Sequence, residues 1–149
     1  VSHWWGERIV DFVLCVEKHR EIRALDDSDC YWVCAYANRQ HDLGVEVTDD
    51  PRKTSFFKAM QLSVGVVLVL DAATKTTGPA TPFTRIWCAF EESMVLELGA
   101  TRAEPVLFDI ATVSDGRPEL LTDGTTAWDA EQPRIATDER HKAIREATF

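Results

Sequence analysis

Val66–Leu70 is a run of five consecutive apolar residues, rich in valine and closed by Asp71. Such a run has no polar alternation and therefore no face to offer to water. As a strand it needs cover on both sides, which is the condition of a strand inside a parallel sheet. Parallel neighbours are joined by crossovers, ordinarily helices, and not by tight turns. Helix-length stretches should therefore flank this segment, and they do.

Upstream, residues 7–25 place Ile9, Phe12, Val13 and Val16 on one helical stripe, with a polar continuation from Glu17 to Glu21. Tyr31–Ala37, aromatic and small apolar, predicts a second strand. Asn38–Lys53 is a polar connection with Gly44, Pro51 and the pair Asp49–Asp50. Its sixteen residues are long for a strand-to-helix loop, and such loops often carry function. Ser55–Ser63 predicts a short helix, capped by Thr54 or Ser55. Downstream of Asp71 lies a second long connection, Ala72–Pro82. Thr84 then caps a helix that runs to about Leu98 and stops at Gly99. Val106–Ile110 predicts another strand. Beyond it the pattern fades. Gly116-Arg117-Pro118 and Asp123-Gly124 are turn signals, Leu120–Leu121 reads as a last short strand, and Thr137 or Asp138 starts a helix to about Ala147.

At 149 residues and 45% hydrophobic, the chain has the size and core of one domain, residues 1–149. The alternation predicts an α/β fold: a flavodoxin-like three-layer arrangement with a central parallel sheet of about five strands, order 2-1-3-4-5, flanked by helices. Ligands of such sheets bind beyond the carboxyl ends of the strands, where the order reverses. Ser2–Glu7 and Ala72–Thr84 would meet there, with Asn38–Lys53 alongside. The chain opens at Val1-Ser2-His3-Trp4-Trp5 without an initiator Met, as a piece excised inside its first strand would.

Charge narrows the partners. Sixteen basic residues against 25 acidic give −9, a surface that repels nucleic-acid phosphates and anionic membranes. A bilayer span needs about 20 apolar residues, and no run here comes near that: Phe12–Val16 and Val66–Leu70 have five and Cys30–Ala37 eight. The cysteines at 15, 30, 34 and 88 form no C-x-x-C pair. Were Cys30 and Cys34 both extended, they would lie about 13 Å apart, beyond the roughly 7 Å a disulfide tolerates. Thiols in a reducing, cytoplasmic setting are expected. The histidines at 3, 19, 41 and 141 lack metal-ligand spacing, so no metal is expected. His19 sits in a charged helical face and needs no functional explanation. Neither G-x-G-x-x-G nor a P-loop occurs, so neither a Rossmann dinucleotide cofactor nor a P-loop nucleotide is expected.

One residue breaks the pattern. Trp87, Glu91, Met94 or Val95, and Leu98 recur at spacings of three and four, so Glu91 interrupts an apolar helical row just after the second long connection. Glu92, rotated by about 100°, faces solvent. The structural alternative is that Glu91 lies at the stripe's edge and pairs with Arg85 or Lys75.

Phe56–Leu98 resembles the core of a TIR (Toll/interleukin-1 receptor) domain. The shared elements are a helix carrying Ala59-Met60 and Ser63, the buried strand Val66–Leu70, and W-C-x-x-E as Trp87-Cys88-Ala89-Phe90-Glu91. Val1–Glu7 is similar to the family's first strand and acidic turn, Tyr31–Ala37 to its second strand, and Asn38–Lys53 to its BB loop. The likeness covers roughly residues 1–110. It implies cleavage of NAD at the nicotinamide–ribose bond, with Glu91 as the essential catalytic residue. Nicotinamide leaves a pyridinium as a neutral molecule, so no acid is needed to protonate it, unlike the alkoxide of ordinary glycosides. One carboxylate then suffices to stabilise the oxocarbenium-like charge, and water or an adenine nitrogen captures C1′ to give ADP-ribose or a cyclic product.

The resemblance also implies substrate contacts at His3, Trp4 and Trp5 on the first strand's tip, at Trp87 one turn before Glu91, and at Arg39 toward the pyrophosphate. Some enzymatic TIR domains carry basic residues where Trp4 and Trp5 stand, so these indoles would instead stack on a base or cover the sheet end. For Trp87 a core role is the alternative, and for Arg39 a solvated charge. Two other functions stay open: a self-associating signalling module without turnover, and a nucleoside N-glycosidase or deoxyribosyltransferase. NAD and other TIR-like domains are the expected partners.

Overall fold

The apolar run receives the cover it requires. In the computed structural model, which describes residues 1–39, 41, 50–71, 81–104 and 106–122, it forms β2 (Gly65–Leu70). β2 lies between β1 (Ser2–His3) and β3 (Leu107–Ser114), parallel to both, and β4 (Arg117–Thr122) pairs with β3. Ser2 aligns with Leu68, and Gly65 with Leu107. Leu68 and Val69 are sealed from solvent. Gly65 is required where β2 and β3 converge, because a Cβ there would come within 2.7 Å of Leu107.

Alternation sorts the sheet's two faces. Val67 and Val69 of β2 and Ala111 and Val113 of β3 pack with Phe12 and Cys15 of α1 (Ile9–Ile22). Val66 and Phe108 point the other way. They meet Met60 of α3 (Ser55–Leu62) and Met94 and Val95 of α4 (Ile86–Thr101). The chain is α/β, and among the described residues a four-stranded mixed sheet has helices packed on both faces. No helix among the described residues is long and apolar enough to cross a membrane.

Several elements depart from the expected pattern. Tyr31–Ala37 is not a strand. Val33 is extended, but Cys34–Ala37 turns into the short helix α2, and the Val33 carbonyl accepts from the N–H groups of Tyr36 and Ala37. The alanines suit a helical turn, and Tyr31, Val33 and Ala35 still reach the α1-side core. α1 turns its buried face through Phe12 and Cys15, leaving Ile9 and Val13 exposed. Thr84 belongs to a 3-10 turn (Thr81–Thr84), so Arg85 occupies the N-cap of α4. Gly99 does not stop α4, which continues to Thr101.

β4 runs antiparallel to β3, where a wholly parallel sheet was expected. Asp115 and Gly116 both adopt positive φ, 51° and 72°, between the paired Ser114 and Arg117. That is the two-residue hairpin an Asp-Gly step favours. Pro118 fits because β4 is an edge strand of the described sheet. The expected turn at Asp123-Gly124 and the helix from Thr137 or Asp138 lie outside the described residues. So do Gln40, residues 42–49 and residues 72–80 of the long connections.

Candidate functional site

Three segments converge beyond the carboxyl end of β1. The first is the turn Trp4–Glu7, closed by the Glu7 N–H on the Trp4 carbonyl at 3.2 Å. Gly6 lies beneath the Trp4 indole, where a Cβ would come within 2.3 Å of the ring. The second is α2 with Asn38, whose side-chain oxygen accepts from Ser55 Oγ at 2.8 Å. The third is the start of α4. Asp71, at the end of β2, receives the Thr81 N–H and hydroxyl at 3.1 and 2.8 Å and so fixes the turn that launches this helix. Cys88 Sγ reaches the His3 carbonyl at 3.6 Å and ties α4 to β1.

Between these segments lies a cavity of about 560 Å³. His3, Trp4, Trp5, Trp87 and Glu91, expected from sequence to act together, all line it. Arg39 does not: it is exposed on the surface, while its buried neighbour Asn38 faces the cavity. Trp87 combines its two anticipated roles. One face stacks on Phe56 at 5.6 Å and 12°, and its ring meets Phe90 edge-on, yet it also borders the open space.

Glu91 is 6% exposed. Burial pushes its carboxyl above the ordinary range, and the Ser2 hydroxyl, the Val1 ammonium and His3 offset this in part. These groups are its electrostatic neighbours, not Arg85. Lys75 lies outside the described residues. His3 shows the opposite balance: burial disfavours its charge, but contacts to Cys34 and Glu7 outweigh this and push it up to about 9.

Glu92 does not face solvent as expected. It is half-buried, and its Oε1 is shielded without a hydrogen-bond partner. Burial first, and then the charge of Glu91, push its carboxyl up to about 7. The helix is covered on more than one side here, which a single apolar row does not reveal.

Sequence reasoning missed Cys34, Phe56 and Glu7. Cys34 was assigned to a strand, where its side chain had no reason to meet the first turn. The signal for Glu7 was available: four residues after His3, its carboxylate stands 3.2 Å from the imidazole Nδ1.

His19 is likewise more than a solvated residue. It bridges Tyr31 Oη at 2.7 Å and Asp109 at 3.0 Å on the α1 side of the sheet, away from the cavity. All four cysteines remain thiols. No group of His, Cys, Asp and Glu among the described residues has the arrangement of a metal site.

The arrangement is a buried carboxylate beside flat aromatic walls. It suits a planar ligand on which positive charge sits or develops, since indole faces attract cations and a desolvated carboxylate acts strongly at short range. Compared with models of protein families, with curated proteins and with solved structures, the chain matches none.

Proposed function

We propose that this domain cleaves NAD at the nicotinamide–ribose bond as a TIR-like NAD nucleosidase. The observation that carries the reading is the joint lining of one cavity by the buried Glu91 and by Trp4, Trp5 and Trp87. Aromatic faces take the pyridinium ring by stacking and cation–π attraction. As the C1′–N bond breaks, its electron pair stays on nicotinamide, which departs neutral. Positive charge then spreads over C1′ and the ring oxygen, where the Glu91 carboxylate stabilises it. Water attacks C1′ and releases a proton to give ADP-ribose, or an adenine nitrogen attacks to give a cyclic product. The approach of a cationic substrate itself favours the charged form of Glu91, against the burial that opposes it.

The neighbour relation of β1, β2 and β3 supports a flavodoxin-like order for the parallel part of the sheet. The four thiols support a reducing, cytoplasmic setting.

A second reading, homotypic association, draws support from α1. Ile9, Val10 and Val13 are exposed at helical spacings along α1. The two readings combine if neighbouring copies bias a cavity-open state.

Chromatography of NAD and free nucleosides after incubation with the protein over a wide dilution series tests these readings. Nicotinamide release with a specific activity that rises with concentration is expected. Intact NAD at every concentration overturns the enzymatic reading, and cleavage of nucleosides alone points to the N-glycosidase class.

A further inference from the structure

Cys34 and Glu7, which the NAD reading does not use, are both neighbours of His3. Glu7 Oε1 stands 3.2 Å from His3 Nδ1, with the two side chains 5% and 10% exposed. Neither contact of the imidazole is aligned as a full hydrogen bond, so the pairing is chiefly electrostatic. Cys34 interacts with His3, and its Sγ accepts the Trp5 indole N–H at 3.2 Å. Although Cys34 is buried, it lines the cavity. Its sulfur thus has an N–H donor, an imidazole backed by a carboxylate, and open space beside it. A thiol, an imidazole and an orienting carboxylate in this order are how nucleophilic cysteines are activated.

The other buried thiols have acidic neighbours in place of the imidazole, although Cys88 lines the same cavity. Burial and nearby acidic groups push Cys15 up to about 12. Burial, with Glu91 and Glu92 beside it, pushes Cys88 up to about 11 against a smaller Ser2 contribution.

We infer that Cys34 is a modification site, a nucleophilic thiol that takes up small aromatic disulfides through the cavity. The aromatic class follows from the walls, where Phe56, Trp87 and Trp5 present flat rings. The Cys34 sulfur attacks one sulfur of the disulfide. That S–S bond breaks, a protein mixed disulfide forms, and the second half leaves as a thiolate that takes up the proton given up by Cys34, while the His3 imidazolium stays beside the reacting sulfur. The small disulfide is the oxidant and is reduced to one released thiol, while Cys34 is oxidised to the mixed form. This reactivity does not depend on NAD turnover. Blockage of the Glu91 cavity by the attached group is a consequence that rests on the NAD reading.

The test treats native protein with substoichiometric 4,4′-dithiodipyridine and maps the labelled cysteines by mass spectrometry. Exposed Cys30 is the internal reference. Cys34 is expected to react on the order of tenfold faster than Cys30, the scale of gain from an imidazole and an N–H donor placed at the reacting sulfur. Cys15, sealed in the core, should react only after unfolding, and Cys88, which lines the same cavity among acidic neighbours, should react more slowly than Cys34. His3→Gln and Glu7→Gln should slow Cys34 and leave Cys30 unchanged. Labelling of Cys30 first, with Cys34 reached only in denaturant, overturns the inference. So does a folded His3→Gln protein whose Cys34 reacts at the wild-type rate. If neither variant folds, the wild-type ranking of Cys34 against Cys30 decides. Nicotinamide release is measured separately, so a failure of the NAD reading leaves this result intact.

Discussion

Asp71 accepts two hydrogen bonds from Thr81, one from its N–H and one from its hydroxyl, at 3.1 and 2.8 Å. The clasp joins the end of β2 to the turn before α4, and so sets the height at which Glu91 enters the cavity. Asp71→Ala leaves the N–H and hydroxyl of Thr81 without this acceptor, at a cost of about 1–3 kcal/mol. Asp71→Asn keeps one acceptor oxygen and should recover part of the loss. Denaturant melts of both variants check this, and an Asp71→Ala protein as stable as wild type would sink it.

A second clasp holds the opposite face. Arg23 Nε and Nη2 donate to the two oxygens of Asp109 at 2.8 and 2.7 Å, and His19 adds a contact at 3.0 Å. Burial opposes the Asp109 charge, but His19 and Arg23 outweigh it and hold the carboxyl below its usual range. Arg23→Met removes the bidentate partner of a buried carboxylate and should cost about 3–5 kcal/mol at neutral pH. Because the folded-state value is depressed, the wild-type contribution is present above the ordinary Asp value of 3.8 and is lost as pH falls through the folded value below it. The gap between Arg23→Met and wild type should therefore narrow in acid. Urea titrations across that range measure it, and a gap that stays constant or widens would contradict the assignment.

Much of the core was legible in the sequence because burial writes periodicity. From the spacing of apolar residues alone, Val66–Leu70 could be placed inside a sheet, and Glu91 stood out as a carboxylate in an apolar row, which is buried and lines the cavity. What stayed hidden depends on groups meeting across the chain. Cys34 and Trp5 are 29 positions apart, and nothing local predicts that an indole N–H will find that sulfur. Tyr31–Ala37 misled because aromatic and small apolar residues fill a core equally well as a strand or as an irregular segment ending in a helical turn. Asp115-Gly116 was the readable signal that went unread: it marks the hairpin that makes β4 antiparallel.

Glu92 gives a pH prediction of opposite sign to Asp109. Its carboxyl rises from 4.5 to about 7, chiefly by burial. Below 4.5 the folded and unfolded states are both protonated. Between that value and about 7 the unfolded chain ionises while the folded one resists, so stability falls as pH rises through the window. Glu92→Gln removes this dependence. The variant should match wild type near pH 4 and gain on it progressively up to about pH 7, with a constant advantage beyond. Thermal midpoints at half-unit intervals test this, and an advantage that is greatest in acid would reverse the assignment.

Glu91→Gln separates chemistry from architecture. Glutamine keeps the size and a hydrogen-bonding oxygen but cannot bear the negative charge that an oxocarbenium-like transition state requires. Nicotinamide release should therefore fall by at least about 100-fold, the scale of losing one preorganised electrostatic group. Stability should move the other way. Burial raises the Glu91 carboxyl above 4.5, with Ser2, the Val1 ammonium and His3 opposing it, so the charged form carries a desolvation cost at neutral pH. The variant should be at least as stable as wild type at pH 7 and lose that margin toward pH 4. The same shift predicts that wild-type kcat/KM declines on the acid side at a pH above the ordinary carboxylate range, and that this limb disappears from the residual activity of the variant. Glu92 is no silent control, because it is half-buried and the charge of Glu91 acts on it. Arg39→Gln, on the surface outside the cavity, serves that purpose and should leave KM unchanged. A Glu91→Gln protein that turns over NAD normally, or that loses stability in step with activity, would make Glu91 a structural residue and remove it from the reaction.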